Sequence, residues 1–229
     1  MKFTSPVYAT VSGSIAGLTY ARNRGGLYSR ARAVPVNPNT PDQVLVKTNF
    51  DELIDAWSNV LTPTQRAQWN TWAANVPTTD SLGQQLFLTG QNAYLRGNGV
   101  RLRAGFTRQD FGPTVMANAT LAPVSVSIVA ATGIATITFT PVSNWDDTPD
   151  AGIVVQISRP VSPAVTYFKG PFRFLDTVPG VAMGGVTSPQ NLDPSPFPLS
   201  AGQKVFFRVR LALFDGRVSF PQVVSAIAS

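Results

Sequence analysis

The stretch KVFFRVRLALFDGRV, Lys204–Val218, is a strand that runs into a turn. Lys204 to Phe214 reads as one long strand, Asp215-Gly216 as hairpin chemistry, and Val218 to Ala228 as the return strand. Working back from it, the β character holds as far as Ala122. Val124, Val126 and Ile128 alternate, as do Ile134, Thr136 and Thr138; Ile153–Ile157 and Val165–Phe168 are further short apolar runs. About seven short strands over about 105 residues predict a sandwich of two sheets. Pro160, Pro163, Pro171 and Pro179 suit its edges and loops. Pro189, Pro194, Pro196 and Pro198 belong to a long irregular connection before the last two strands.

Upstream of the β region the apolar period changes to three and four. Thr40-Pro41-Asp42-Gln43 has the form of a helix start, with Thr as N-cap, Pro at the first position and Gln closing a capping box. Val46, Phe50, Leu53, Ile54, Trp57 and Val60 then define one apolar face of a helix running to about Val60. Thr62-Pro63-Thr64-Gln65 repeats the start signal, and Trp69, Trp72, Ala73 and Val76 form the stripe of a second helix that Pro77 ends. The two predict a helical hairpin packed through Phe50, Trp57, Trp69 and Trp72. A DNA-reading helix-turn-helix is disfavoured, because the second helix offers a single arginine, Arg66. A third, basic helix is expected from about Gly90 to Ala104, carrying Arg96, Arg101 and Arg103. Its Gly97 and Gly99 each weaken it by about 1 kcal/mol relative to alanine.

Residues 1–39 differ again. Leu18, Tyr20 and Arg22 fall on one side of an extended segment. Asn23-Arg24-Gly25-Gly26 is turn chemistry, and Tyr28, Arg30 and Arg32 share a side of the segment that follows. A β-hairpin is predicted, too polar to form a core of its own. Pro35, Pro38 and Pro41 make the connector after it stiff. The expected organisation is therefore a multidomain α+β chain. It comprises an extended basic arm over 1–39, a helical domain over 40–105, a linker over 106–121 and a β-sandwich over 122–229.

Composition narrows the chemistry. The 229 residues include no cysteine and no histidine, which removes disulfides, Ser–His and Cys–His catalysis and ordinary zinc sites. Charged residues are only 13% of the chain, about half the usual share, so its surface is easily desolvated against other proteins. The net charge is +6, and residues 1–110 hold 11 of the 18 Lys/Arg against 6 of the 12 Asp/Glu, which places the basic excess there. No apolar run of about 18 residues predicts a transmembrane helix. The segment MKFTSPVYATVSGS has no apolar core of the kind a secretory signal needs, so none is expected.

Two resemblances add to this. Leu199, Gly202, Phe207-Arg208-Val209 and Asp215-Gly216 resemble the end of a fibronectin type III domain, with Val205 standing where that family keeps its corner tyrosine. The resemblance covers about 30 residues and implies an immunoglobulin/fibronectin III-like sandwich, not an activity. Over the first 105 residues the chain resembles small, largely uncharacterised structural proteins of tailed bacteriophages. That resemblance rests on Ser12-Gly13-Ser14, Gly17, Thr19-Tyr20, Arg22-Asn23-Arg24-Gly25, Tyr28, Arg30, Arg32, Pro35 and Asn37-Pro38. It continues through Leu61-Thr62-Pro63, Gln65-Arg66, Trp69, Leu88-Thr89-Gly90 and Tyr94. It implies a virion component, made in the host bacterial cytoplasm, with no catalytic residue.

The candidate functional residues are those of the arm: Tyr20, Arg22, Arg24, Tyr28, Arg30 and Arg32. Arginines interleaved with tyrosines suit docking onto neighbouring subunits through acids there, or phosphate contact with base stacking. Trp57, Trp69 and Trp72 are expected to be core rather than a carbohydrate or peptide groove. Asp146, Asp147 and Asp150 beside Trp145 have the composition of a solvated turn; a calcium loop and paired hydrolytic carboxylates are the sharper readings. The expectation is a non-enzymatic virion protein without metal or cofactor, a capsid cement, connector or tail component. Its partners would be other virion proteins or further copies of itself, with DNA contact open and no membrane. A nucleic-acid-binding virion protein and a receptor- or glycan-binding surface protein are the alternatives.

Overall fold

The computed structural model describes residues 12–24, 26–34, 36–79, 83–142, 144–194 and 197–229. Gly25 of the expected turn, Pro35 of the connector, Pro196 and the first eleven residues lie outside them. The chain divides into two compact units at the Pro41/Asp42 boundary. The fold is α+β, and its sheets are antiparallel.

The N-terminal unit is a three-stranded meander, one strand more than the expected hairpin. It is formed by β1 (Gly13–Ile15), β2 (Leu18–Asn23) and β3 (Gly26–Ala31), paired in that order. No described residue from Ser12 to Thr40 is buried.

The second unit begins with α1 (Pro41–Asp55), which passes through a π-helical turn at Ala56–Val60 where the Leu61 N–H reaches the Ala56 carbonyl. The helix therefore runs to Val60, as the periodicity predicts, but most of its stripe stays exposed among the described residues. Leu53 and Ala56 are buried and Trp57 is half-buried, whereas Phe50 is 50% exposed and Val46, Ile54 and Val60 are exposed too. Phe50 is thus not a packing residue; α1 reaches the helical core only through its last turns. The helical pair that packs lengthwise is α2 (Pro63–Asn75) with α3 (Gly90–Arg103), joined through the short ribbon β4 (Thr78–Thr79) and β5 (Gln85–Leu86). The Thr62 capping box is present: the Gln65 N–H donates to Thr62 Oγ1 at 3.3 Å, and Gln65 Oε1 accepts from the Thr62 N–H at 2.8 Å. At the start of α3, a Cβ on Gly90 would lie 2.7 Å from the Asn70 backbone nitrogen, so only glycine lets the two helices approach this closely.

Two sheets face each other across one apolar core. The first has the order β10-β7-β6, from β6 (Ser125–Val129), β7 (Ile134–Thr138) and β10 (Gln190–Leu192). The second has the order β12-β11-β8-β9, from β8 (Gly152–Ile157), β9 (Arg173–Pro179), β11 (Lys204–Ala212) and β12 (Gln222–Ile227). Ile128, Ala135 and Ile137 of one sheet and Ile153, Val155, Ile157, Val205, Phe207, Val209 and Leu211 of the other share that core with Trp145. Trp145 and Phe139 sit 5.5 Å apart within it. Val165–Phe168 is not a strand: Val165 closes a turn onto Ser162, and Tyr167 is exposed. Its place at the sheet edge belongs to β9, whose Leu175 is the extra residue of a bulge opposite Val155 and Gln156. The return strand after Gly216 is broken at Pro221, so β12 starts at Gln222, preceded by isolated bridges at Val218 and Ser219.

The helices and the sandwich meet in this unit. Arg101 of α3 has no exposed surface. It donates from Nε to the Thr107 carbonyl at 2.9 Å and from Nη1 to the Asp150 carbonyl at 3.0 Å, and it bonds the Leu213 carbonyl and the Asp150 carboxylate. Phe106, Val154 and Ala212 close a small apolar cluster beside it. Residues 106–121, read from the sequence as a linker, strap the helices. Trp69 Nε1 donates to the Asp110 carbonyl at 3.1 Å, Trp72 Nε1 to the Val115 carbonyl at 3.0 Å, and Asn98 Nδ2 to the Gln109 carbonyl at 3.0 Å.

Candidate interaction surface

The register of the meander sorts the candidate arm residues onto two faces. Tyr20 pairs with Ser29 and Arg22 with Leu27, while Ile15 pairs with Leu18. One face therefore carries Ile15, Leu18, Tyr20, Arg22 and Leu27. Thr19 pairs with Arg30 and Ala21 with Tyr28, so the other face carries Ser14, Thr19, Tyr28 and Arg30. Ser14 and Thr19 confirm the shared side with a 2.8 Å hydroxyl contact. Arg24 lies at the turn, and Arg32 follows β3 directly with its N–H on the Gly17 carbonyl at 2.8 Å. The six residues are thus not one patch: Tyr20 and Arg22 sit with the apolar side chains, Tyr28 and Arg30 with the hydroxyls. Among the described residues, no carboxylate pairs with Arg22, Arg24, Arg30 or Arg32. Ile15 is 70% exposed, and Leu18, Val34 and Val36 are exposed as well.

The helical candidates separate in the same way. Trp69 and Trp72 are buried edge to face with centroids 6.1 Å apart, and Tyr94 lies 5.6 Å from Trp69 and 5.5 Å from Trp57. They form a core and leave no aromatic groove. Burial pushes the Tyr94 hydroxyl well above the ordinary tyrosine value, so it stays protonated. Phe50 belongs instead to the exposed stripe of α1.

The acidic loop is not simply solvated. Burial raises the Asp150 carboxyl, but the Thr107 N–H at 2.9 Å, its hydroxyl at 2.7 Å and the Arg101 guanidinium outweigh that and hold it below the usual value. Asp146 keeps one buried oxygen without a partner. Among the described residues, no group of three or more His, Cys, Asp or Glu is placed to hold a metal ion. No helix of the described residues is long and apolar enough to cross a membrane.

Sequence reasoning missed the role of Arg101, because its partners lie 49 and 112 residues away and no local pattern marks them. It also missed a set of arginines on the outer face of the four-stranded sheet. Arg208 donates from Nε to Gln156 Oε1 at 2.7 Å and covers the Phe172 ring at 4.8 Å. Arg103 lies 4.6 Å over Phe174 and pairs with Asp42 at 2.8 Å. The period-two pattern of β11 marks that outer face in the sequence.

Among solved structures, the chain is similar to a Fn3-like protein from Clostridium thermocellum. The match has a TM-score of 0.32 and 13% identity, and it covers 49% of this chain and 94% of that one. No protein-family model and no curated protein matches the chain.

Proposed function

We propose that this protein is a non-enzymatic structural component of a tailed-bacteriophage particle and assembles by docking its N-terminal arm onto neighbouring subunits. The observation that carries the docking is a three-stranded sheet without a single buried residue among those described. A sheet this small needs an apolar face covered to be stable. Here Ile15 and Leu18 on one face are exposed, and among the described residues no carboxylate pairs with the four guanidinium groups. The sparse charge of the whole surface favours the same kind of contact. The phage assignment rests on the resemblance of the first 105 residues to structural proteins of tailed bacteriophages. Partners are other virion proteins or further copies of this chain, and the mechanism uses no cofactor.

Hydrogen exchange on the isolated chain and on assembled particles tests the docking. Residues 18–32 should exchange rapidly in the monomer and slowly in the particle. Strong protection already in the monomer refutes it. Mass spectrometry of purified particles tests the location, and absence of the chain from them overturns the virion assignment. The basic face with Tyr28 and Arg30 also fits a phosphate backbone, which makes DNA contact by the arm the second reading. Arg30→Ala with Arg32→Ala should then weaken DNA binding at low salt.

A further inference from the structure

On β11, Val205, Phe207, Val209 and Leu211 point into the sandwich core, so Lys204, Phe206, Arg208 and Arg210 line the opposite side. The neighbours of Arg208 and Arg210 across the sheet are Val223 on β12, Gln156 and Val154 on β8, and Phe174 and Thr177 on β9, all uncharged. Arg96 of α3 approaches from the flank, held by a 2.7 Å hydrogen bond to Thr78 Oγ1 and lying 5.6 Å over the Phe220 ring. Among the described residues, none of these three arginines has a carboxylate partner, whereas Arg101, Arg103, Arg108 and Arg217 each do. Two buried polar atoms on this face also lack partners: Arg210 Nε and Thr177 Oγ1 lie on one row, with Val154 between them. Burial, then the charges of Arg208 and Arg96, lower the Arg210 guanidinium to about 10. A half-buried group of like charges with an unsatisfied donor lacks one thing, an anion.

We propose that Arg96, Arg208 and Arg210 form a binding site for phosphate-class oxyanions, presented by a nucleic-acid backbone or as free polyphosphate. The guanidinium fork matches two phosphate oxygens at once, which suits a cluster of arginines without carboxylate partners. Arg208 lies over the Phe172 ring and Arg96 over the Phe220 ring, so aromatic contacts hold both guanidinium groups. All three arginines of this site belong to the second unit.

The experiment is fluorescence anisotropy of a labelled single-stranded oligothymidylate with the full chain, competed by tripolyphosphate, over a salt series. Wild type should bind, with affinity falling as salt rises. Arg208→Gln with Arg210→Gln should weaken binding on the order of ten-fold per guanidinium and flatten the salt slope by about 1.4. Lys47→Gln, an exposed cation on α1, is the control and should leave this binding in place, and Arg30→Ala with Arg32→Ala tells the arm from the sheet. Should the double variant fail to fold, Arg96→Gln, on the flank of the cluster, serves as the second variant and should lose about ten-fold. Binding of tripolyphosphate without the oligonucleotide supports the site and assigns it to free polyphosphate. Binding of neither ligand by wild type overturns the proposal, as does binding lost in the arm variant and kept in the sheet variants.

Discussion

Alanine at Gly97 and alanine at Gly99 should move stability in opposite directions. Both glycines lie inside α3, two residues apart, and helix propensity alone credits either substitution with about 1 kcal/mol. At Gly99 nothing lies within 4 Å of an added Cβ, so that gain is realised in full. At Gly97 the added Cβ would stand 2.3 Å from the Gly216 carbonyl oxygen, about 1.1 Å short of ordinary 3.4 Å contact. That oxygen cannot yield cheaply. It is backbone in the 213–217 turn, where the Gly216 N–H is on the Leu213 carbonyl, and the same turn presents Leu213 to Arg101. Overpacking of this kind costs about 3 kcal/mol at the upper end of its range, so the net effect at Gly97 is a loss of about 2 kcal/mol. The two variants should differ by about 3 kcal/mol, roughly 6–12 °C in melting temperature for a chain of this size. Differential scanning calorimetry of both variants beside wild type measures it. A Gly97→Ala protein as stable as Gly99→Ala would refute the close approach of α3 to the turn.

Five further outcomes follow from the packing. The folded Asp150 carboxyl lies below its ordinary value of 3.8, so its contribution is complete above that value and is lost as pH falls through the folded value. Melts carried from pH 7 to well below pH 3.8 should show an acid-dependent loss, kept small because the carboxylate is 38% exposed. Asp150→Asn should cost about 2 kcal/mol at neutral pH and blunt that acid dependence. Trp69→Ala should cost about 3–5 kcal/mol in urea unfolding, whereas Phe50→Ser should stay within about 0.5 kcal/mol of wild type in the isolated chain. Thr62→Ala should cost about 1 kcal/mol through the loss of its cap.

What could be read from the sequence was set by neighbours in sequence, and what could not was set by neighbours in space. The Thr62-Pro63-Gln65 start is local hydrogen bonding, so the bounds of α2 were legible to within a residue. β8 was legible as a short continuous apolar run, and β11 because Val205, Phe207, Val209 and Leu211 alternate along it. β9 was not, since its bulge at Leu175 interrupts the alternation and proline stands at both ends of the segment. Val165–Phe168 had the pattern of a strand but has no partner to pair with. The stripe of α1 was legible as an apolar face, yet periodicity cannot say how much of it is covered, and among the described residues Leu53 is buried while Phe50 is half exposed. The arm residues were legible as a set, but their division into two faces needed the register. Arg101 looked like one more surface cation of a basic helix; its burial is written in Asp150 and Leu213, far along the chain.

The Arg101 junction also has a mechanical meaning. One side chain of α3 grips the loop before β8 and the turn after β11, the two central strands of the sheet. A pull on α3 is therefore delivered to the interior of the sheet, where many ladder bonds must shear together, and not to an edge that could be unzipped pair by pair. The helices of this unit are a handle fixed to the stiffest part of the sandwich. Under load they should not peel away first, and single-molecule extension should record helices and sandwich giving way in one event.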